Sequence, residues 1–266
     1  MGMNAGIIIN VSIPLTLFPQ RLDHLKRVVD AVIPQMNSGD GLVFVDDQSC
    51  KEVRDYLDEL MPESASVTRV IHRDLASFPE LSEDGRPWRL ASSRNLGVKT
   101  LGEYAFYVFL DADCAPAEGW LEVYRAYFTP SADRFVLPRL LFGQTRHQGL
   151  TRPEGTYSDP RLCGRDPGDA AGRLVALFER GGGGNMAISH YAWEQTGGFN
   201  EEFDGGFGYE ETELACRVYE RGGEVLYVPK AEVLHLYHSR TKTHFHNMDR
   251  NRRLFMAETG LSAFAR

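Results

Sequence analysis

Tyr104-Ala105-Phe106-Tyr107-Val108-Phe109-Leu110-Asp111-Ala112-Asp113 is the stretch that decides how this chain reads. Its aromatic and β-branched run predicts a buried strand. The run stops at two carboxylates one residue apart. Carboxylates at the end of a buried strand are costly unless something compensates them. Hard divalent cations such as Mg²⁺ and Mn²⁺ take oxygen ligands and compensate them well. A cation held there can clamp a diphosphate, so Asp111 and Asp113 are candidate metal ligands. Asp-x-Asp is also common in turns and helix caps. The next helix, expected from Gly119, starts too late for Asp111 to cap it.

Upstream, strands and helices alternate. Residues 6–11 read as a first strand, broken by Pro14 and Pro19. Residues 21–33 keep Leu22, Leu25, Val28, Val29, Val32 and Ile33 on one helical face. A buried strand at 42–45 closes on Asp46-Asp47. Then come an amphipathic helix at 51–60, a strand at 67–71, a polar loop at 79–89 and a helix at 92–101. This alternation predicts a mainly parallel, three-layer α/β sheet. Such sheets bind ligands beyond the carboxyl ends of their strands. Asp46, Asp47, Asp111 and Asp113 all fall there.

Downstream the pattern changes. A helix is expected at 119–128 and a strand at 135–137. Residues 143–172 are rich in Gly, Pro, Arg and Asp, lack periodicity, and predict a long loop. The glycines at 181–184 let the backbone approach something closely. Ser189 is a candidate N-cap for a short helix ending at Thr196. A helix at 211–220 and a strand at 225–228, ended by Pro229, follow. The remainder carries His235, His238, His244 and His246, then a basic helix at 249–258. No repeat or shift of composition divides the chain, so one domain is expected over 1–266.

A chain of 266 residues is long enough for one α/β core. The net charge of −8 gives no support for a nucleic-acid partner, despite the small basic group Arg250, Arg252 and Arg253. No apolar run approaches the roughly 18 residues that span a bilayer. Membrane contact, if any, is expected to be peripheral, through the basic helix. Residues 1–10 lack a basic n-region and do not read as a signal peptide. Cys50, Cys114, Cys163 and Cys216 are scattered, which predicts free thiols and a cytoplasmic chain.

Four segments then fall in a telling order: Ile13-Pro14-Leu15-Thr16-Leu17-Phe18-Pro19-Gln20-Arg21-Leu22, Phe44-Val45-Asp46-Asp47-Gln48-Ser49, Ser93-Arg94-Asn95-Leu96-Gly97 and Leu110-Asp111-Ala112-Asp113. With them the chain resembles the GT-A glycosyltransferases, the inverting family 2 in particular. They are similar to that family's opening strand-loop-helix, its Asp-Asp-x-Ser nucleotide turn, its Arg-Asn-x-Gly helix and its metal motif. Gly183-Gly184-Asn185-Met186-Ala187, Gly197-Gly198-Phe199-Asn200-Glu201 and Gly206-Phe207-Gly208-Tyr209-Glu210-Glu211 are similar to the chondroitin-polymerase, polypeptide GalNAc-transferase and β-1,4-galactosyltransferase group.

The resemblance implies a GT-A, Rossmann-like α/β fold. Its nucleotide-binding half would reach about residue 115 and its acceptor-binding half the rest. It also implies a Mn²⁺- or Mg²⁺-dependent transfer of sugar from a nucleotide donor, expected to be UDP-linked, to a hydroxyl acceptor. Inversion follows from the family 2 features, although the GalNAc-transferase-like half belongs partly to retaining enzymes. Asp113 is implied as a direct metal ligand and Asp111 as a contact to metal or ribose. The ion would neutralise charge on the leaving diphosphate. His235 or His238 would complete the shell. Residues three apart on a strand face opposite sides, so only one would bind unless the chain turns. Pro14, Asp46, Asp47 and Arg94 would contact the nucleotide, and Gly184 and Asn185 would line the donor sugar. Where the family has Glu-Asp, this chain has Glu210-Glu211. Glu211 is implied as the base that takes the acceptor's proton, and Glu210 as a sugar contact.

Each assignment has a plainer counterpart. Asp47 could serve an Asx-turn, Arg94 could be a solvated helix charge, and Glu210 and Glu211 could simply favour a helix N-terminus. Trp193 reads as core. Two other functions compete. A sugar nucleotidyltransferase needs a Gly-rich, Lys-containing loop that residues 14–21 lack. A non-catalytic nucleotide-sugar-binding protein fits the fold, but intact Asp111, Asp113, Glu211 and His235 argue against it.

Overall fold

The computed structural model describes residues 3–12, 20–60, 67–72, 89–129, 138–148, 156–158, 173–174, 183–238 and 248–260. Strand β1 (Ala5–Val11) leads to helix α1 (Arg21–Val32). Strand β2 (Gly41–Asp46), helix α2 (Lys51–Glu59) and strand β3 (Val67–His72) follow. Helix α3 (Leu90–Leu101) then precedes strand β4 (Phe106–Asp111). β1 pairs in parallel with both β2 and β4, and β2 with β3. This half is the parallel α/β sheet that the alternation predicts.

Strand β5 (Cys114–Pro116) and helix α4 (Trp120–Phe128) open the second half. Strand β6 (Arg139–Gln148) and the short strands β7 (Thr156–Ser158) and β8 (Arg173–Leu174) come next. Strand β9 (Asn185–Ser189) runs into helix α5 (His190–Thr196), capped as expected by Ser189, whose side chain accepts from the Ala192 N–H. Helix α6 (Glu210–Glu220), strand β10 (Glu224–His235) and helix α7 (Met248–Thr259) follow. Among the described residues the sheet runs β3-β2-β1-β4-β9-β6-β10-β5. β9 lies antiparallel between β4 and β6, and β5 lies antiparallel on β10.

Both faces of the sheet are covered. Ile7, Ile9, Phe44, Val108 and Leu110 pack with Leu25, Val28, Leu57 and Leu121 on one side. Ile8, Val43, Phe109, Met186 and Ile188 pack with Val98, Ala192 and Leu214 on the other. The strand alternation in residue number therefore sorts the core into two layers of helices over one sheet. Asp111 shares the second face with α3 and α6.

Three expectations change. Residues 143–148 belong to strand β6 rather than a loop. A Cβ on Gly143 would collide with the Asn185 side chain and the Ala231 carbonyl, so this glycine permits close approach instead of breaking the strand. β10 does not stop at Pro229. A register shift between Val228 and Val233 passes the proline, which cannot donate to a ladder. β9 was not legible at all. Pro14, the expected strand at 135–137, Cys163, His244 and His246 lie outside the described residues. Cys50, Cys114 and Cys216 are free thiols. No helix among the described residues is long and apolar enough to cross a membrane.

Candidate active site

β4 delivers Asp111 to the carboxyl edge of the sheet, and the turn into β5 places Asp113 beside the end of β10. His235 is in register with Cys114. The Leu236 N–H then donates to the Asp113 carbonyl at 2.8 Å, and the chain turns off the strand. That turn lets both histidines approach one carboxylate. His238 Nε2 lies 3.3 Å from Asp113 Oδ2, and His235 Nε2 lies 3.7 Å from Asp113 Oδ1. Both imidazoles reach the same carboxylate. Asp113, Cys114 and His235 each offer an atom within 4.8 Å of the others, a group able to hold a metal ion.

Arg21, the first residue of α1, also reaches this carboxylate, with Nη1 3.0 Å from Asp113 Oδ2. Burial alone would raise the Asp113 pKa, but Arg21, His235 and His238 hold it well below the ordinary carboxylate range. Burial lowers His235 to about 4, more than Asp113 can restore. A neutral imidazole beside an ionised carboxylate is a fit donor pair for a divalent ion. Residue patterns alone assign Arg21 no role. Its only signal is a cation at the start of the helix that follows the first strand.

Asp111 keeps 40% of its side chain exposed. Burial by the surrounding protein and the neighbouring Asp113 push its pKa up to about 6, against the pull of Arg94. Gly184 lies directly against it, and a Cβ there would stand 2.5 Å from Asp111 Oδ2. The Asp111 N–H donates to the Gly184 carbonyl at 3.2 Å. Gly183 does the same for Arg94, since a Cβ would sit 2.7 Å from its Nη2. The glycine run thus makes room for these two side chains.

Arg94 is no solvated charge. It is 2% exposed, with Nη1 3.1 Å from Glu210 Oε1 and Nη2 3.7 Å from Asp111 Oδ1. The Phe199 ring lies 5.2 Å beneath the guanidinium carbon. Arg94 therefore joins Asp111 to the start of α6. Glu210 and Glu211 are both buried there. Burial and the adjoining Glu211 push Glu210 up to about 8, against Arg94. Glu211 Oε2 is buried without a hydrogen-bond partner, and its charge is felt at Asp111. Buried polar atoms are rarely left unpaired, so this oxygen calls for an explanation.

Other expected site residues have partners within the protein. Asn185 is fully buried. Its Oδ1 accepts from Trp120 Nε1 at 2.9 Å and Tyr124 OH at 2.8 Å, and its Nδ2 donates to the Ala231 and Gln144 carbonyls. It ties four segments together. Asp46 makes the local side-chain bond to the backbone: its Oδ1 accepts from the Ser49 N–H three residues on, and its Oδ2 meets His72 Nδ1 at 2.8 Å. Asp47 is paired with Arg89, a partner with no sequence signal beyond its charge. Trp193 is core, as expected.

Comparison with known proteins fits this geometry. A family model described as the N-terminal domain of galactosyltransferase matches residues 178–239, the segment that carries Gly184, Glu210, Glu211, His235 and His238. No curated protein matches the chain in sequence. Among solved structures, GalNAc-T7 with UDP, GalNAc and Mn²⁺ is 19% identical with a TM-score of 0.65 over 99% of this chain, which spans 52% of that protein's length. S. aureus TarS 1-349 with UDP-GlcNAc is 11% identical with a TM-score of 0.67, covering 98% of this chain and 68% of that one. A mannosyltransferase from Pyrobaculum calidifontis, with GDP-Man and Mn²⁺, is 13% identical with a TM-score of 0.56, covering 96% and 62%. The fold is that of the GT-A glycosyltransferases.

Proposed function

We propose that this GT-A chain transfers a sugar from a UDP-linked donor to a hydroxyl acceptor, with inversion and with a divalent ion. The observation that carries the reading is the convergence of His235 and His238 on Asp113, next to Asp111, whose carboxyl also feels Glu211, a side chain with one buried, unpartnered oxygen. In this reading residues to about 115 bind the nucleotide and the rest binds the acceptor. GalNAc-T7 and the mannosyltransferase, each solved with a nucleotide or nucleotide sugar and Mn²⁺, support the ion and the donor class.

Asp113, His235 and His238 would hold the ion, with Asp111 open beside them. Two imidazoles with one carboxylate favour Mn²⁺ over Mg²⁺, which prefers an all-oxygen shell. A bound ion supplies charge neutralisation at the leaving diphosphate. Glu211 takes the proton from the acceptor hydroxyl as that oxygen attacks the anomeric carbon. Glu210, held by Arg94, keeps the start of α6 in place and places neutral surface beside the base.

The test is a thermal-shift panel of UDP- and GDP-sugars with and without Mn²⁺, followed by assay of nucleotide-sugar hydrolysis. Ligand binding raises the melting temperature by mass action. Asp113→Ala is expected to abolish the Mn²⁺-dependent shift. Glu211→Gln is expected to keep the shift and lose turnover by about 10²-fold or more, the usual weight of a general base. Normal turnover in Glu211→Gln refutes the base. Binding without turnover in the unmodified chain identifies a non-catalytic nucleotide-sugar binder instead.

A further inference from the structure

α7 has no part in the chemistry above, yet its buried face is aimed at the loop that carries the candidate base. Asn251 is fully buried. Its Nδ2 donates to the Phe203 carbonyl at 2.9 Å and to the Gly208 carbonyl at 3.0 Å. Arg250 Nη1 donates to the Asp204 carbonyl at 3.2 Å and to Asn251 Oδ1 at 2.9 Å, which fixes the amide's orientation. One turn along the helix, the Phe255 ring packs 5.4 Å from Tyr209. Phe203, Cys216 and Phe255 form a separate small core, with Tyr209 and Leu254 against it.

The clasped loop is held under strain. Tyr209, immediately before Glu210, has φ +76°, a left-handed conformation that costs a side-chain-bearing residue on the order of 1 kcal/mol or more. Its carbonyl accepts the Glu213 N–H at 2.9 Å and so starts α6. A backbone held this way persists only when its surroundings over-determine it. The same loop reaches α3. Asp204 Oδ1 accepts from the Ala91 N–H at 3.0 Å, and Asn95 is tied to both the N–H and the carbonyl of Phe199. One loop therefore aims the Glu210–Glu211 pair and anchors the helix that carries Arg94.

We infer that α7 is a positioning element for the reaction, and that Asn251 is its key residue: it pins the loop so that Tyr209 stays left-handed and Glu211 faces the cleft. This rests on the transfer reading for its kinetic part and on geometry alone for its structural part. The test uses the full chain, unmodified and with Asn251→Ala, and has two arms. In hydrogen exchange, segment 204–211 of the variant should exchange about tenfold faster, the shift that about 1.4 kcal/mol of lost restraint gives, while segment 106–113 stays as it was. In kinetics, kcat for UDP-sugar hydrolysis should fall about tenfold while the affinity for UDP with Mn²⁺ is unchanged, since a loss confined to the chemical step leaves binding alone. Adding Tyr209→Gly to Asn251→Ala should restore part of kcat, because glycine holds a positive φ without steric cost. Phe255→Leu, a milder change on the same face, should show the same selectivity if Asn251→Ala does not fold. Unchanged exchange in 204–211 overturns the inference, as does a loss of affinity equal to the loss of kcat. If the unmodified chain hydrolyses no nucleotide sugar, the transfer reading falls and the exchange arm decides the inference.

Discussion

Arg94 and Glu210 stand 116 residues apart in the chain and meet at 3.1 Å, both buried. The pair joins α3 to the helix that bears the candidate base. Its two members do not have the same alternatives when the partner is lost. A guanidinium cannot shed its charge, whereas a carboxyl already pushed up to about 8 readily takes a proton.

Removing Glu210 therefore costs more than removing Arg94. Glu210→Leu should lose about 1.5–3 kcal/mol of stability, the range for a lost hydrogen bond to a charged group, with the Arg94 charge left to Asp111. Arg94→Met should lose about 1 kcal/mol, because Glu210 survives as a neutral, hydrogen-bonding acid. Urea unfolding at neutral pH measures both. Equal losses would mean that the pair is not the main compensation for the Arg94 charge.

Neighbouring positions should fail in different ways. Gly184→Ala pushes on Asp111 at 2.5 Å, so it should abolish the thermal response to UDP with Mn²⁺ while costing about 1–3 kcal/mol of stability. Asn185→Ala strands the Trp120 and Tyr124 donors and two carbonyls. It should cost roughly 3 kcal/mol or more, at about 1 kcal/mol or more for each unpaired group, and keep the ligand response in whatever fraction stays folded. A loss of ligand response in Asn185→Ala without a loss of stability would return that residue to the donor site.

His72 gives a pH signature away from the cleft. Burial alone would lower its pKa, but hydrogen bonds to Asp46 and Asp58 outweigh it and the net shift is upward from 6.5. A base whose folded pKa is raised adds stability below its unfolded value and loses it as pH climbs through the folded one. Wild type should thus exceed His72→Gln most at pH values below about 6.5, with the gap closing as pH rises into the alkaline range. Chemical denaturation of both proteins across that span checks it. A gap that widened with pH would reverse the assignment.

Much of this was readable in advance because the first half follows simple rules. β1, β2 and β4 are apolar runs, β2 and β4 end in carboxylates, and α1 keeps one apolar face. Residue type pointed to the Asp111–Asp113 pair, and the family resemblance pointed to both histidines. Local spacing misled where tertiary contact overrode it. Gly143 and Pro229 look like breakers but sit inside strands, one for close approach and one at a bulge. Asn185 looked like a ligand contact and is a clasp. Arg21, Arg89 and the Arg94–Glu210 pair were out of reach, because nothing in a one-dimensional pattern says which distant charge a buried side chain will meet.

β9 gives the two halves an unusual hold on each other. The N-terminal part supplies β4, β5 and β6, and the C-terminal part threads β9 between β4 and β6 while β10 joins β6 to β5. A peptide-bond cut anywhere between Gln148 and Thr156 would leave every one of those seams intact. Two separately expressed pieces divided there should recombine without a tether, which makes this scaffold a natural candidate for a complementation reporter.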